Sequence, residues 1–424
     1  MSQNDQLYDF LKAVYMQITP ERVYPWIKAD SKGRGILRRT DYAFGFTIED
    51  GNKQKIYKED ENCYGLLKIL KETIDPNTKT KYSDAKNPNI DEIIQKVYQT
   101  CDDIKRLLSK YLIADYDACD QLQKNILEQC FINQDAVSEG ATTAFRGNLY
   151  RIREIKINPK KRILDFFHVP FTERYLMGTY RYSIPGYPSL YTSSTVYGAW
   201  EEMDRKDITK CGYMIFELKK DIRLLDLRWR FRDSELINNV EKLKNYILYL
   251  PIIIACSMQV RHSREKFVPE YIFPQQIFKW LMNQLQKHKT DFDTSMLGVA
   301  YTSNKPVVWE ELCKCKGKAN DKEEDREINY LREVTNYALL AYLPIDGDFS
   351  KYSYKLGSIL YAKYPYWLRK QPSAYDSAYQ SLYKIQNELN KLQPWHELGD
   401  EIMKEEMQIP NIDSMQLLKR LLHN

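Results

Sequence analysis

The texture of this chain changes around Ser138–Thr143, and that change restricts the fold more than any single residue does. Before it, apolar residues recur every three or four positions: Leu7, Phe10, Leu11, Val14 and Ile18, then Ile93, Ile94, Val97, Cys101, Ile104, Leu107, Leu108 and Tyr111. This is the period of helices with one buried face. After the small, polar run SEGATT, short β-type runs take over at Leu149–Ile157, Ser189–Thr192, Tyr213–Leu218 and Ile222–Leu227. Helical stretches, Thr195–Met203 and Pro274–Gln286, lie between and after them. No regular crossover helices separate the strands and no glycine-rich dinucleotide fingerprint occurs, so an α+β arrangement is expected and a nucleotide ligand would need a different cradle. From Pro372 the pattern is helical again, with Tyr375, Tyr379, Leu382, Ile385, Leu389 and Leu392 on one stripe. The expected organisation is a helical N-terminal region over 1–140 serving regulation or assembly, an α+β unit over 141–370, and a helical tail over 371–424.

Composition sets the class. A chain of 424 residues with 43% apolar content can bury a sizeable core in two or three packed units. Charges nearly balance, 63 basic against 58 acidic side chains, so no global field marks a nucleic-acid or membrane binder, and no direct nucleic-acid binding is expected. The polar start MSQNDQLYDF is unlike a secretory signal, and the longest apolar run, Tyr246–Met258, is shorter than a membrane span and contains Pro251. A soluble cytoplasmic protein is expected. Eight cysteines are scattered without CxxC pairs and read as reduced thiols; Cys313 and Cys315 are the one close couple, and no metal is assigned.

The chemistry-bearing passage is Phe167–Met203, where Arg181, Tyr191 and Glu202 stand ten and eleven positions apart on one strand–turn–strand–helix stretch. A guanidinium, a phenol and a carboxylate in this order suit the binding and cleavage of a nucleotide sugar. Each also has an ordinary reading: Arg181 and Glu202 as an ion pair, Tyr191 as a strand residue half in the core, Ser303 as a turn residue before Pro306. Isolated motif letters have a high false-positive rate, and the weight lies in their joint order and spacing.

The passage resembles the core of the RES family, bacterial NAD-consuming enzymes named after an arginine, a glutamate and a serine. In that family an arginine is usually followed by asparagine two residues on, by glycine three later, then by a strand tyrosine and a helical glutamate. Arg181, Gly186, Tyr191 and Glu202 match those offsets, with Ser183 where asparagine is common. Upstream, Leu149–Arg153 (LYRIR) is similar to the opening strand, with Arg151 as its arginine. Downstream, Tyr271–Trp280, Gly298–Ser303 and Asn336–Leu340 are similar, in order, to later blocks, and Ser303 takes the place of the family serine. The resemblance covers Asn148 to about Lys370. It implies an α+β, ADP-ribosyltransferase-like RES domain between a helical N-terminal region and a helical C-terminal tail.

The implied activity is cleavage of the nicotinamide–ribose bond of NAD, as substrate and not cofactor, with phosphate a possible co-substrate. Positive charge develops on the sugar as that bond breaks, which a fixed carboxylate stabilises. Glu202 is the choice, and Glu201 the fallback, since adjacent helical side chains point about 100° apart. Arg181 and Arg151 suit the pyrophosphate or an incoming phosphate through two parallel charge-assisted bonds. Tyr191 would pack on nicotinamide or ribose, and Ser303 would donate one hydrogen bond. Such proteins are commonly toxins restrained by an antitoxin, so an inhibitory partner is implied; a homo-oligomer through the tail stripe is the runner-up to simple packing. Two further readings use the same chain: ADP-ribosyl transfer to a protein or nucleotide acceptor, and a catalytically silent interaction protein. Leu227–Arg232 (LRWRFR) reads as a strand with Leu227, Trp229 and Phe231 on one face, and His168 as a hydrogen-bonded core residue.

Overall fold

The structure, a computed structural model, describes residues 46–49, 52–55, 90–133, 136–137, 142–154, 162–228, 240–257, 267–287, 295–302, 334–342, 351–368 and 378–407. The first helical pattern (Leu7–Ile18), Trp229 and Phe231, Ser303, Cys313, Cys315 and Tyr375 lie outside these residues. Two small antiparallel pairs, β1 (Phe46–Glu49) with β2 (Asn52–Lys55) and β3 (Ile132–Asn133) with β4 (Ala136–Val137), stand apart from the main sheet.

Ten strands form that sheet: β5 (Thr142–Phe145), β6 (Asn148–Glu154), β7 (Ser189–Ser193), β8 (Cys211–Leu218), β9 (Ile222–Leu227), β10 (Met296–Thr302), β11 (Thr335–Leu340), β12 (Leu360–Ala362), β13 (Tyr366–Trp367) and β14 (His396–Glu397). The spatial order is β14-β12-β8-β6-β7-β11-β10-β9-β5, with β13 also on β8. All pairings are antiparallel except β9 with β10. The fold is therefore α+β with a large mixed sheet, as the strand spacing led one to expect.

Helices cover both faces. In β8 the alternation assigns Met214, Phe216 and Leu218 to one apolar cluster and Cys211, Tyr213 and Ile215 to another, so the strand reads as one continuous apolar run. Against the first face pack α1 (Ile90–Leu112), α2 (Tyr116–Phe131), α4 (Val240–Cys256) and α5 (Ile272–Lys287). Val97, Cys101, Ile104, Leu107 and Leu108, the stripe read from the sequence, are the buried side of α1. These N-terminal helices thus share one core with the sheet. The second face is covered by α3 (Val196–Glu202) and α7 (Ala378–Lys391), whose Leu382, Ile385 and Leu389 are buried on Tyr150, Tyr213 and Ile215 of the sheet.

Two more helices, α6 (Tyr354–Ser358) and α8 (Leu398–Met407), flank the β12 edge. The tail is not wholly helical: β14 pairs Glu397 with Tyr361 and His396 with Ala362. Buried Lys363 anchors it, donating from Nζ to the carbonyls of Leu389 (3.3 Å) and Asn390 (2.8 Å) at the end of α7, with Trp395 4.1 Å beneath the ammonium. A cation there complements the helix terminus. His168 is buried as expected. Its Nε2 accepts from the Ser353 amide at 2.8 Å and its Nδ1 lies 2.8 Å from the Val169 carbonyl. Among the described residues, no helix is long and apolar enough to cross a membrane.

Candidate functional site

Strand β6 treats its two neighbours differently. It pairs with β8 at seven successive positions, Asn148↔Glu217 through Glu154↔Cys211, but with β7 at one, Tyr150↔Ser193. Beside that single pair Arg151 crosses over, its Nη1 donating to the Tyr191 carbonyl at 2.7 Å. Arg151 and Arg153 are two apart on one strand and so share a face. Arg153 donates to the Phe167 carbonyl at 2.9 Å, whereas the Nε of Arg151 is buried without a hydrogen-bond partner. Burial, and then the like charge of Arg153, push the Arg151 guanidinium well below its usual pKa. A half-buried guanidinium whose Nε is unmatched has donor capacity left for an anion.

Across the seam, the Tyr191 phenol is held by the turn that precedes β7. It accepts from the Tyr182 amide at 3.1 Å and shares a hydrogen bond with Ser183 Oγ at 2.9 Å. Burial raises its pKa despite these two bonds, so the hydroxyl stays protonated. Ser183 is fully buried and lies 3.4 Å from Ser189 Oγ, so its hydroxyl is engaged within the protein. Gly186, at φ +75° with open space where a Cβ would sit, provides the left-handed residue that turns the chain back into β7. Arg181 donates from Nη1 to the Cys256 carbonyl at the end of α4 (2.8 Å), and its guanidinium lies 5.1 Å from the centre of the Tyr271 ring. Of the two arginines expected to face phosphate, Arg181 has a structural anchor and Arg151 an open donor.

The carboxylates sort themselves at the end of α3. Thr195 caps this helix, accepting from the Gly198 amide at 2.9 Å, and Gly198 lets it lie close to the sheet. A Cβ there would fall on the Ser193 hydroxyl and a Val334 methyl. Glu201 is buried and committed to Arg205, 2.9 Å from its Nε, which itself lies over the Trp200 ring. Glu202, half-buried, turns instead to the middle of β11, where Asn336 Nδ2 donates to its Oε1 at 2.8 Å. The two carboxylates thus part, Glu202 turning to β11 and Glu201 serving the helix end.

Two residues that the sequence reading quoted only within longer blocks, and assigned no role, lie beside these groups. Asn336 is fully buried and pairs in register with Ser193 on β7 and Tyr301 on β10. The Tyr301 ring lies 4.8 Å from that of Tyr182, and its phenol is raised well above the usual tyrosine range, first by burial and then by the charge of Glu202, with Tyr191 and Tyr182 adding and Arg181 opposing. A polar amide inside the apolar run TNYALL was the signal available for Asn336. Ser303 lies outside the described residues, and among them no group of three His, Cys, Asp or Glu side chains is placed to hold a metal.

Comparison with known proteins gives one informative likeness. No protein-family model and no solved structure matches the chain. The chain is similar to "Putative toxin YopC" of Bacillus subtilis (strain 168), with 27% identity over 243 residues, 54% of this chain and 52% of that protein. It thus spans about half the length of that relative, and the shared sequence is that of a protein named as a toxin.

Proposed function

We propose that this protein breaks the nicotinamide–ribose bond of NAD, with phosphate or water as the acceptor, and acts as a toxin or defence effector. What supports the reading is that Arg151 is held at the Tyr191 carbonyl, the Tyr191 phenol at the turn before β7, and Glu202 at Asn336, whose register partners Ser193 and Tyr301 lie on β7 and β10. The RES resemblance supplies the reaction, and the name of the relative agrees with the biological role. An inhibitory partner protein belongs to the same reading.

The bond electrons leave with nicotinamide, which departs as a neutral base and requires no general acid. Positive charge grows on ribose C1′, and Glu202 is the carboxylate assigned to offset it; such preorganised charge is commonly worth about two to three orders of magnitude in rate. An oxygen of phosphate or water then forms the new bond to C1′, giving ADP-ribose 1″-phosphate, or ADP-ribose with release of a proton. Arg151 is the group for the pyrophosphate or the incoming phosphate, because its buried Nε still lacks an acceptor. Tyr191 keeps its proton and presents a ring and a hydroxyl to the sugar.

Incubating the purified chain with NAD, with and without phosphate, tests this. A product that requires phosphate identifies phosphorolysis, free ADP-ribose identifies hydrolysis, and label on macromolecules identifies transfer to an acceptor. Unchanged NAD under all conditions refutes the reading and favours a silent interaction protein.

A further inference from the structure

Asn336 has a half-used side chain. Its amide nitrogen is taken by Glu202, whereas its Oδ1 is buried with no hydrogen-bond partner, in a residue with 0% exposure at the centre of β11. A purely architectural asparagine uses both ends, because an unmatched acceptor in the interior is destabilising. The flipped amide would set oxygen against the Glu202 carboxylate, so the donor must face the acid. The nature of the donor matters too. A lysine or arginine in this place would cancel the charge of Glu202; a neutral amide orients the carboxylate and leaves its charge in place.

Since Oδ1 and Nδ2 belong to one small planar group, whatever donates to Oδ1 lies beside the Glu202 carboxylate. We propose that Asn336 positions Glu202 through Nδ2 and receives a ribose hydroxyl of the bound nucleotide at Oδ1. This rests on the NAD-cleaving reading and adds a residue that discriminates a ribose from a sugar lacking that hydroxyl.

The test is a kinetic cycle on the full chain: wild type, Asn336→Ala, Glu202→Gln and the double variant, with isosteric Asn336→Asp as a second probe that preserves shape. Each is assayed with NAD and with NAD analogues lacking the 2′- or 3′-hydroxyl of the nicotinamide ribose. Asn336→Ala is expected to lower kcat about 10- to 100-fold in the wild-type background and less than about 2-fold in the Glu202→Gln background, as for residues acting as one unit. Asn336→Asp, which sets a second carboxylate against Glu202, is expected to lose at least as much. With one of the deoxy analogues the Asn336→Ala penalty should shrink about 10-fold, since the contact is already gone. Additive losses together with an equal penalty on all three substrates overturn the assignment while NAD cleavage stands. A wild type that neither binds nor consumes NAD overturns both.

Discussion

The two flanks of β6 make opposite use of the same strand. Toward β8 the ladder is complete over seven pairs, and Met214, Ile215 and Phe216 beside it are fully buried. Toward β7 a single pair remains, and a guanidinium takes over the task of satisfying backbone, Arg151 to the Tyr191 carbonyl. A zipped ladder needs nothing from its side chains but bulk. An open seam must be lined with polar groups, and those groups are then at hand for a ligand. Stability is expected to reside on the β8 side and chemistry on the β7 side.

The sharpest way to separate the two is Glu202→Gln, which is expected to reduce NAD turnover about 100- to 1,000-fold while leaving the thermal midpoint unchanged. A fall in midpoint instead would make Glu202 a structural residue. Arg151→Lys keeps the charge and loses the fork; an increase of about 10- to 100-fold in KM for NAD is expected, read from initial rates, and an unaltered KM would move the anion site elsewhere. Gly198→Ala attacks the seam from behind by forcing α3 away from Ser193 and Val334. A destabilisation of about 1–3 kcal/mol is expected by denaturant titration, with kcat falling as Glu202 is displaced.

The last test concerns the closed half. Burial holds His168 near a pKa of about 3, against an ordinary 6.5. Between those values the unfolded chain binds the proton and the folded one does not, so stability should drop as pH falls below 6.5, by up to about 1.4 kcal/mol per pH unit. His168→Gln, which keeps an acceptor for the Ser353 amide, should flatten that slope in melts recorded from pH 7 to 4.

Much of the secondary structure was legible because periodicity reports which residues face inward. Ile222–Leu227 is a strand with the bounds read from sequence, Thr195–Met203 is α3 with its cap at Thr195, and Leu382, Ile385 and Leu389 are buried together. Periodicity does not say which strand lies next to which. The β6–β7 seam is therefore invisible in the sequence, as is the pairing of β14, two residues being too short to show a period. For the candidate site, residue types and spacing could be read, but not partners: Glu201 meets Arg205, Glu202 meets Asn336 more than a hundred positions away, and Arg181 meets the Cys256 carbonyl.

The edge strand contributed by the tail has a consequence for biogenesis. β8, the partner that steadies β6, has its outer edge occupied by segments around 360–367, and those in turn by His396 and Glu397, with Arg162 tied to Glu405 across 243 positions. Contacts so remote along the chain are slow to close. A ribosome must release the chain as far as Glu397 before this edge of the sheet can be finished, so the last strand to pair is expected to be among the last to emerge.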